Sequence, residues 1–365
     1  MAFEPTVIFP GVLFEGADRV AKDADLHGAA TATSIIQEMG WSSTLIPEEN
    51  GGYGGTFNDM GSLLEGMAAR AVNLPIITRC CVVPGMLTAA PKTDAIQHLM
   101  LQMAEGAARV ELAGPLSWRE THAMPEVSRA DGGWVLEGKL DAIELTDDCT
   151  HVLFSAIDTG THAVVVAIVD AGQLLAPSRA FSTVERRSIK SIETTALRLS
   201  DDSILAQGDD ARAMRDAGWK LAQAAIGADI VCTMNYALAE TVAYLQERKQ
   251  FGQPLAQFQV LRHEVAKLYV SFETCKNLLM SSLRSLEPSP GNSDGMAAFD
   301  LLGLYVREQA IEFAQSVIQL HGGMGMAQET LAARMATRLI ANAFRYGDAY
   351  SHTKALGVFQ QGEQE

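Results

Sequence analysis

The sequence predicts a multidomain α+β protein: a helical N-terminal domain, a middle β domain and a C-terminal four-helix bundle. Three observations predict it. Residues 1 to about 107 carry apolar side chains at helical spacing. From about Ala108 short, β-branched, alternating runs take over. From about Asp210 to Tyr350 long helical patterns return, separated by breaker-rich loops. The divisions fall at 1–107, 108–208 and 209–365.

The elements follow in order. Thr31 to Met39 reads as a helix that stops at Gly40, and Gly51 to Gly55 reads as a tight turn. That turn lacks the Lys-Ser/Thr pair of a phosphate loop. Asn58 to Arg70 forms a helix with Asn58 or Asp59 at its N-cap, and Cys80 to Ala90 and Ala95 to Ala104 form two more. Gly133 to Leu140 reads as strand, turn, strand. His151–Ala156, Ala163–Val169 and Thr194–Leu199 are β-prone. Ala224 to Leu245 is a buried helix, and Val260, Leu261, Val265, Leu268 and Phe272 mark the next. The stretch Glu287 to Gly295 is a loop, with Asp294 available to cap the helix that runs to Leu320. Thr330 to Phe344 is the last helix expected.

With 28 Lys+Arg against 44 Asp+Glu, the chain carries a net charge of −16. This argues against nucleic acid and anionic membrane as partners, and requires local basic residues around any anionic ligand. The five cysteines, an odd number without Cys-x-x-Cys spacing, imply no disulfide framework and suit a reducing, cytoplasmic setting. No metal site is expected. Met1 to Pro5 lacks a basic region before an apolar run, so no signal peptide is expected, and no uncharged run is long enough to span a bilayer.

The segment Glu247 to His263 joins two long helices. Phe251-Gly252 and then Pro254 end the first of them. Arg248 therefore sits at a helix C-terminus, where a cation is favoured; its fork also suits a pyrophosphate. Both uses are open on periodicity alone.

Three motifs carry a family resemblance: Leu45 to Gly55, then Arg248-Lys249-Gln250-Phe251-Gly252 with Phe258-Gln259 and Arg262-His263, then Gln319 to Met326. Together, in this order, they resemble the acyl-CoA dehydrogenases. The resemblance implies a β-barrel-like middle domain and FAD shared between two subunits. The clasp on pyrophosphate and adenosine would here be Arg248, Phe251, Gln259, Gln319, Gly322 and Gly323. Gly322-Gly323 also reads as a plain helix stop.

The chain departs from the family in two places. At the flavin ring, Leu112 to Trp118 and Leu140 to Thr146 replace the expected motifs, and Asp141 and Glu144 bring negative charge. Either Ser117 or Trp118 serves a remodelled pocket or, more simply, this chain's own flavin-ring pocket is weak or absent. At the base, Gly347 stands where many members carry a glutamate, and Ala222, between Leu221 and Gln223, stands where a second branch does. Asp348 is the one nearby carboxylate: either a base or a polar cap, with His352 a surface residue or its partner. Asp229 and Glu240 read as structural.

The resemblance therefore implies a subunit of an acyl-CoA dehydrogenase acting on a bulky thioester such as a steroid side-chain CoA. It would give its clasp to a second, non-identical subunit in an α2β2 complex. A self-sufficient homo-oligomer using Asp348, on an acyl-CoA or a nitroalkane-like acid, is the alternative. A non-enzymatic scaffold is the third.

Overall fold

The structure is a computed structural model, and it describes residues 3–27, 33–114, 124–286 and 295–357. Ser117, Trp118, the start of the Thr31 helix and the 287–294 loop with Asp294 lie outside the described residues. In chain order the elements are α1 (Val12–His27), α2 (Thr33–Glu38), α3 (Phe57–Ala68), a π turn at Ile77–Val82 leading into α4 (Val83–Thr88), and α5 (Asp94–Ala104). Strands β1 (Val110–Ala113), β2 (Glu126–Ala130), β3 (Gly133–Ile143), β4 (His151–Asp158), β5 (Val164–Asp170), β6 (Arg179–Ser182), β7 (Ser188–Leu199) and β8 (Ile204–Gln207) follow. Then come α6 (Gly208–Glu247), β9 (Lys249–Gln250), β10 (Gln253–Pro254), α7 (Gln259–Leu283), α8 (Gly295–His321), α9 (Leu331–Ala343) and α10 (Ala349–Ala355).

Local chemistry sets several of these boundaries. Helix α3 begins after Thr56, whose backbone N–H and hydroxyl both donate to Asp59 Oδ2, at 2.8 and 2.9 Å. The cap is thus Thr56, and Asp59 acts from inside the first turn as a capping-box acceptor. The glycine-rich turn folds back on the segment before it: Gly54 N–H donates to the Ile46 carbonyl and Gly55 N–H to the Thr44 carbonyl, both at 2.8 Å. A Cβ at Gly52 would stand 2.1 Å from the Ile46 carbonyl oxygen, so glycine there permits a backbone-on-backbone contact.

The chain packs as two compact units, residues 1–29, 61–73 and 223–365 in one, and 30–60 and 74–222 in the other. The second unit holds an eight-stranded mixed sheet in the order β6-β7-β3-β2-β4-β5-β8, with β1 lying parallel along β4. Strands β4 and β5 are buried on both faces, so they read as continuous apolar runs rather than alternating ones. The sheet's core is built from Trp134, Leu136, Phe154, Val165 and Ile192 among others. The strand-turn-strand expected at Gly133–Leu140 is instead the one strand β3, with register shifts against β7 between Leu136 and Gly138 and between Leu140 and Ile143. Gly138 (φ 112°) and Ala142 (φ 53°) mark bulges, so the glycine re-aims a strand instead of reversing it.

In the first unit α8 packs against α7, α9 and α10. A buried polar cluster there is paired, as burial demands. Asp229 Oδ1 accepts from Arg338 Nε at 2.8 Å and Oδ2 from Asn342 Nδ2 at 2.6 Å. Arg338 also donates to the Val72 carbonyl at 2.7 Å. Asp229 is therefore structural. Glu65, fully buried, accepts from the Ile8 and Phe9 N–H groups and pins the N-terminal segment; burial raises its pKa against those bonds. All five cysteines are free thiols. No helix among the described residues is long and apolar enough to cross a membrane.

Candidate functional site

The site builds outward from the end of α6. Arg248 N–H still donates to the Tyr244 carbonyl at 2.9 Å, and the Leu255 N–H returns to the Arg248 carbonyl at 2.8 Å. Between them β9 and β10 form a two-residue hairpin, Gln250 opposite Gln253 and Lys249 opposite Pro254. Its central residues, Phe251 (φ 52°) and Gly252 (φ 79°), are both left-handed, as a type I′ turn requires. A phenylalanine held there costs about 1–2 kcal/mol. It is also 91% exposed, touching the edge of Phe258 at 6.1 Å between centroids. Strain and exposure in one aromatic point to a binding use rather than a packing one.

The second half of the site is the end of α8. Gln319 is exposed, His321 is buried, and Gly322 takes φ 58° to leave the helix. The two halves are locked together. The Tyr244 ring stacks on the His321 ring at 4.3 Å and 21°. Tyr244 OH donates to the His321 carbonyl at 3.3 Å, and His321 Nε2 sits 3.2 Å from Thr241 Oγ1. Burial pushes His321 down to about 4, so the ring is neutral at physiological pH. Nothing in the spacing of residues 77 apart signals this pair; the cue was only a tyrosine one turn before Arg248 and a histidine next to Gly322.

Every expected clasp residue is exposed: Arg248, Phe251, Gln259, Gln319, Gly322 and Gly323. The Arg248 guanidinium makes no hydrogen bond or ion pair among the described residues. A Cβ added at Gly322 or Gly323 would meet no atom within 4 Å. An open guanidinium, an open aromatic ring and an uncrowded backbone suit a pyrophosphate and its adenosine.

The expected base region is organised differently. Asp348 caps α10: its Oδ1 accepts from Ser351 N–H at 2.8 Å and from the Ser351 hydroxyl at 2.7 Å. These bonds hold the carboxylate below its ordinary pKa, and it is exposed. Inside the turn, buried Arg307 donates Nη1 to the Asn342, Ala343 and Arg345 carbonyls at 3.1, 3.1 and 2.9 Å. Its Nη2 donates to Gln223 Oε1 at 2.5 Å, and Gln223 Nε2 to the Tyr346 carbonyl at 3.1 Å. Burial lowers Arg307 to about 10, still charged at neutral pH. His352 is not a surface residue: it is 2% exposed, with Nδ1 3.1 Å from Asp300 Oδ1. Gly303 makes the room, since a Cβ there would meet the imidazole at 2.5 Å.

In the sheet unit the two carboxylates expected near the flavin ring are paired. Asp141 accepts from Lys139 Nζ at 2.8 Å, from the Ser191 hydroxyl and from Ala142 N–H. Burial would raise it, but these donors outweigh burial and hold it low. Glu144 meets Arg187 at 3.4 Å. One buried group escaped the sequence reading. Arg79, on the π turn, donates Nε to Glu111 at 2.5 Å and Nη1 and Nη2 to Asp148 at 3.0 and 2.8 Å. One cation between two acids divides them. Asp148, despite burial, is brought to about 2 by bonds from Arg79 and Thr146 and carries the charge. Burial pushes Glu111 up to about 8, against the pull of the Arg79 charge beside it.

Residues 216–349 match the family described as acyl-CoA dehydrogenase, C-terminal domain. The chain is 24% identical over 314 residues to the acyl-CoA dehydrogenase FadE12 of Mycobacterium tuberculosis, covering 82% of this chain and 80% of that one. It is 26% identical over 296 residues to the acyl-CoA dehydrogenase IpdE2 of Mycolicibacterium smegmatis, covering 81% and 76%. Its fold is that of the ChsE4–ChsE5 complex from Mycobacterium tuberculosis, with TM-score 0.82, 16% identity and 98% of each chain covered. It is also that of a variant of the Tcur3481–Tcur3483 steroid ACAD, with TM-score 0.80, 22% identity and 95% and 96% covered. At these identities the structural likeness speaks for the fold.

Proposed function

The chain belongs to the acyl-CoA dehydrogenase family, and on that premise we propose that it is one subunit of a flavin-dependent acyl-CoA dehydrogenase, lending its FAD clasp to a second, non-identical subunit. The observation that carries this reading is a contrast between two sets of residues. Arg248 stands unpaired and exposed, while no carboxylate occupies position 222 or 347 and Asp348 is engaged in capping a helix. A binding half is kept and a proton-abstracting half is not.

In this reading the three-part division at 107/108 and 208/209 follows the family's architecture. Bound FAD would supply the hydride acceptor for α,β-dehydrogenation of an acyl thioester, with a base needed to take the α-proton. This chain's residues bind and orient. Arg248 offsets phosphate charge, Phe251 packs against the nucleotide, and Gln259 and Gln319 supply side-chain amides. Gly322 and Gly323 let the backbone come close. The base and the ring pocket belong to the partner in an α2β2 assembly. A steroid side-chain CoA is the proposed substrate class, supported by the likeness to a steroid ACAD of two chains.

The test is a flavin count. Coexpressed with its partner, the chain should copurify with about half a flavin per polypeptide, as a clasp given to one partner per pair requires. If the chain alone binds one flavin per polypeptide and oxidises an acyl-CoA, with turnover lost in Asp348→Asn, the self-sufficient alternative is correct instead.

A further inference from the structure

Arg248 and the Gly322-Gly323 backbone must act on one pyrophosphate, yet they lie on different helices, more than seventy positions apart in the chain. Something has to fix the end of α6 against the end of α8. We propose that the stacked Tyr244–His321 pair is the positioning element of the clasp, setting the spacing between Arg248 and the Gly322-Gly323 backbone. This rests on the cofactor reading above and extends it to residues that touch no nucleotide.

The geometry is specific at each link. Tyr244 is one helical turn before Arg248, and its carbonyl accepts the Arg248 N–H at 2.9 Å. The tyrosine's position is therefore transmitted to the arginine through one backbone bond. His321 immediately precedes Gly322, whose φ of 58° begins the departure from α8. The rings stack at 4.3 Å and 21°, and the Tyr244 hydroxyl reaches the His321 carbonyl at 3.3 Å, at the peptide that leads into Gly322. Thr241 Oγ1, one turn further back on α6, holds His321 Nε2 at 3.2 Å and fixes the ring's tilt. Three residues thus staple two helix ends, and both ends point the candidate binding groups at solvent. A plain helix–helix contact would be met by aliphatic side chains. A flat pair with two polar tethers fixes both distance and rotation.

The experiment follows FAD release from the copurified complex by recovery of flavin fluorescence after dilution, with the thermal midpoint as a control for folding. Tyr244→Leu and His321→Leu, which abolish the stack, should release FAD about tenfold faster, the worth of an aromatic pair plus a hydrogen bond. Tyr244→Phe and His321→Phe, which keep two facing rings but each lose one polar tether, should accelerate release by a smaller factor, about two- to fivefold. Arg248→Ala serves as the reference for the clasp itself. If Arg248→Ala accelerates release and the two leucine variants do not, the positioning role is wrong and the clasp reading survives. If Arg248→Ala has no effect, the clasp reading fails and this inference falls with it. Should the leucine variants not fold, Thr241→Val, which frees the His321 ring to tilt, should give a smaller acceleration; parent-like release would overturn the proposal.

Discussion

Asp348 shows how much one carboxylate's role depends on three neighbouring residues. A single oxygen takes both bonds from Ser351, so its chemistry is that of a helix cap. Asparagine caps nearly as well as aspartate. Asp348→Asn in the complex should therefore leave both turnover and the unfolding midpoint close to the parent. Asp348→Ala should lose about 0.5–2 kcal/mol of stability, read from denaturant unfolding. A loss of turnover by orders of magnitude in the asparagine variant would mean that the carboxylate abstracts a proton. Restoring a glutamate is the converse experiment. Gly347 has φ 129°, and a Cβ there would stand 3.4 Å from His352 Nε2. Gly347→Glu should then destabilise by about 1–3 kcal/mol and create no activity, because only glycine holds that backbone without strain. The sequence displayed both options for Asp348 and could not choose, since a cap and a base have the same residue type at the same place. The burial of His352 was illegible for a different reason: it depends on Gly303 and Asp300, half a hundred positions away, neither of which follows a pattern that a local reading detects.

At the level of elements, what was legible was what local chemistry alone decides. The stop at the end of α6 and the start of α7 followed from Gly252 and Pro254. The form of the connection did not, because a Phe-Gly pair at the centre of a type I′ turn lacks the usual Asn or Asp and hides its left-handed phenylalanine. Nor did the sequence reveal the α6–α8 junction, which has a measurable consequence. His321 is held near 4, below its ordinary 6.5, because the buried ring cannot be charged cheaply. The unfolded chain therefore takes up the proton first, and this residue's contribution is complete above about pH 6.5 and falls away as the pH drops toward 4. Between pH 7 and pH 5 the loss should be on the order of 2 kcal/mol, the pKa difference integrated over that window. Urea midpoints at the two pH values should show it, and His321→Phe should remove that part of the dependence. An unchanged slope in the phenylalanine variant would assign the acid sensitivity to other groups, such as the buried His352.

For the whole molecule, the net charge of −16 and the proposed ligand pull in opposite directions. A pyrophosphate approaching this chain meets repulsion at long range and Arg248 with its neighbour Lys249, both exposed, at short range. The range of each is set by salt. At about 0.01 M the screening length is roughly 30 Å, and the whole acidic surface acts; at about 0.15 M it is roughly 8 Å, and the nearby cations dominate; at about 1 M it is roughly 3 Å, and these too are muted. The affinity of the purified chain for added FAD, measured by equilibrium dialysis, should accordingly rise with salt, pass through a maximum near physiological strength and then fall. Arg248→Ala should lower the maximum and leave the rising limb in place, because that limb belongs to the distributed charge and not to one residue. A steady decline from the lowest salt would show that the local cations already command the field. The same antagonism gives a physical reason for a partner: a strongly acidic chain that keeps a clasp for an anion gains most from a neighbour whose own surface closes over the ligand and excludes the rest of that charge.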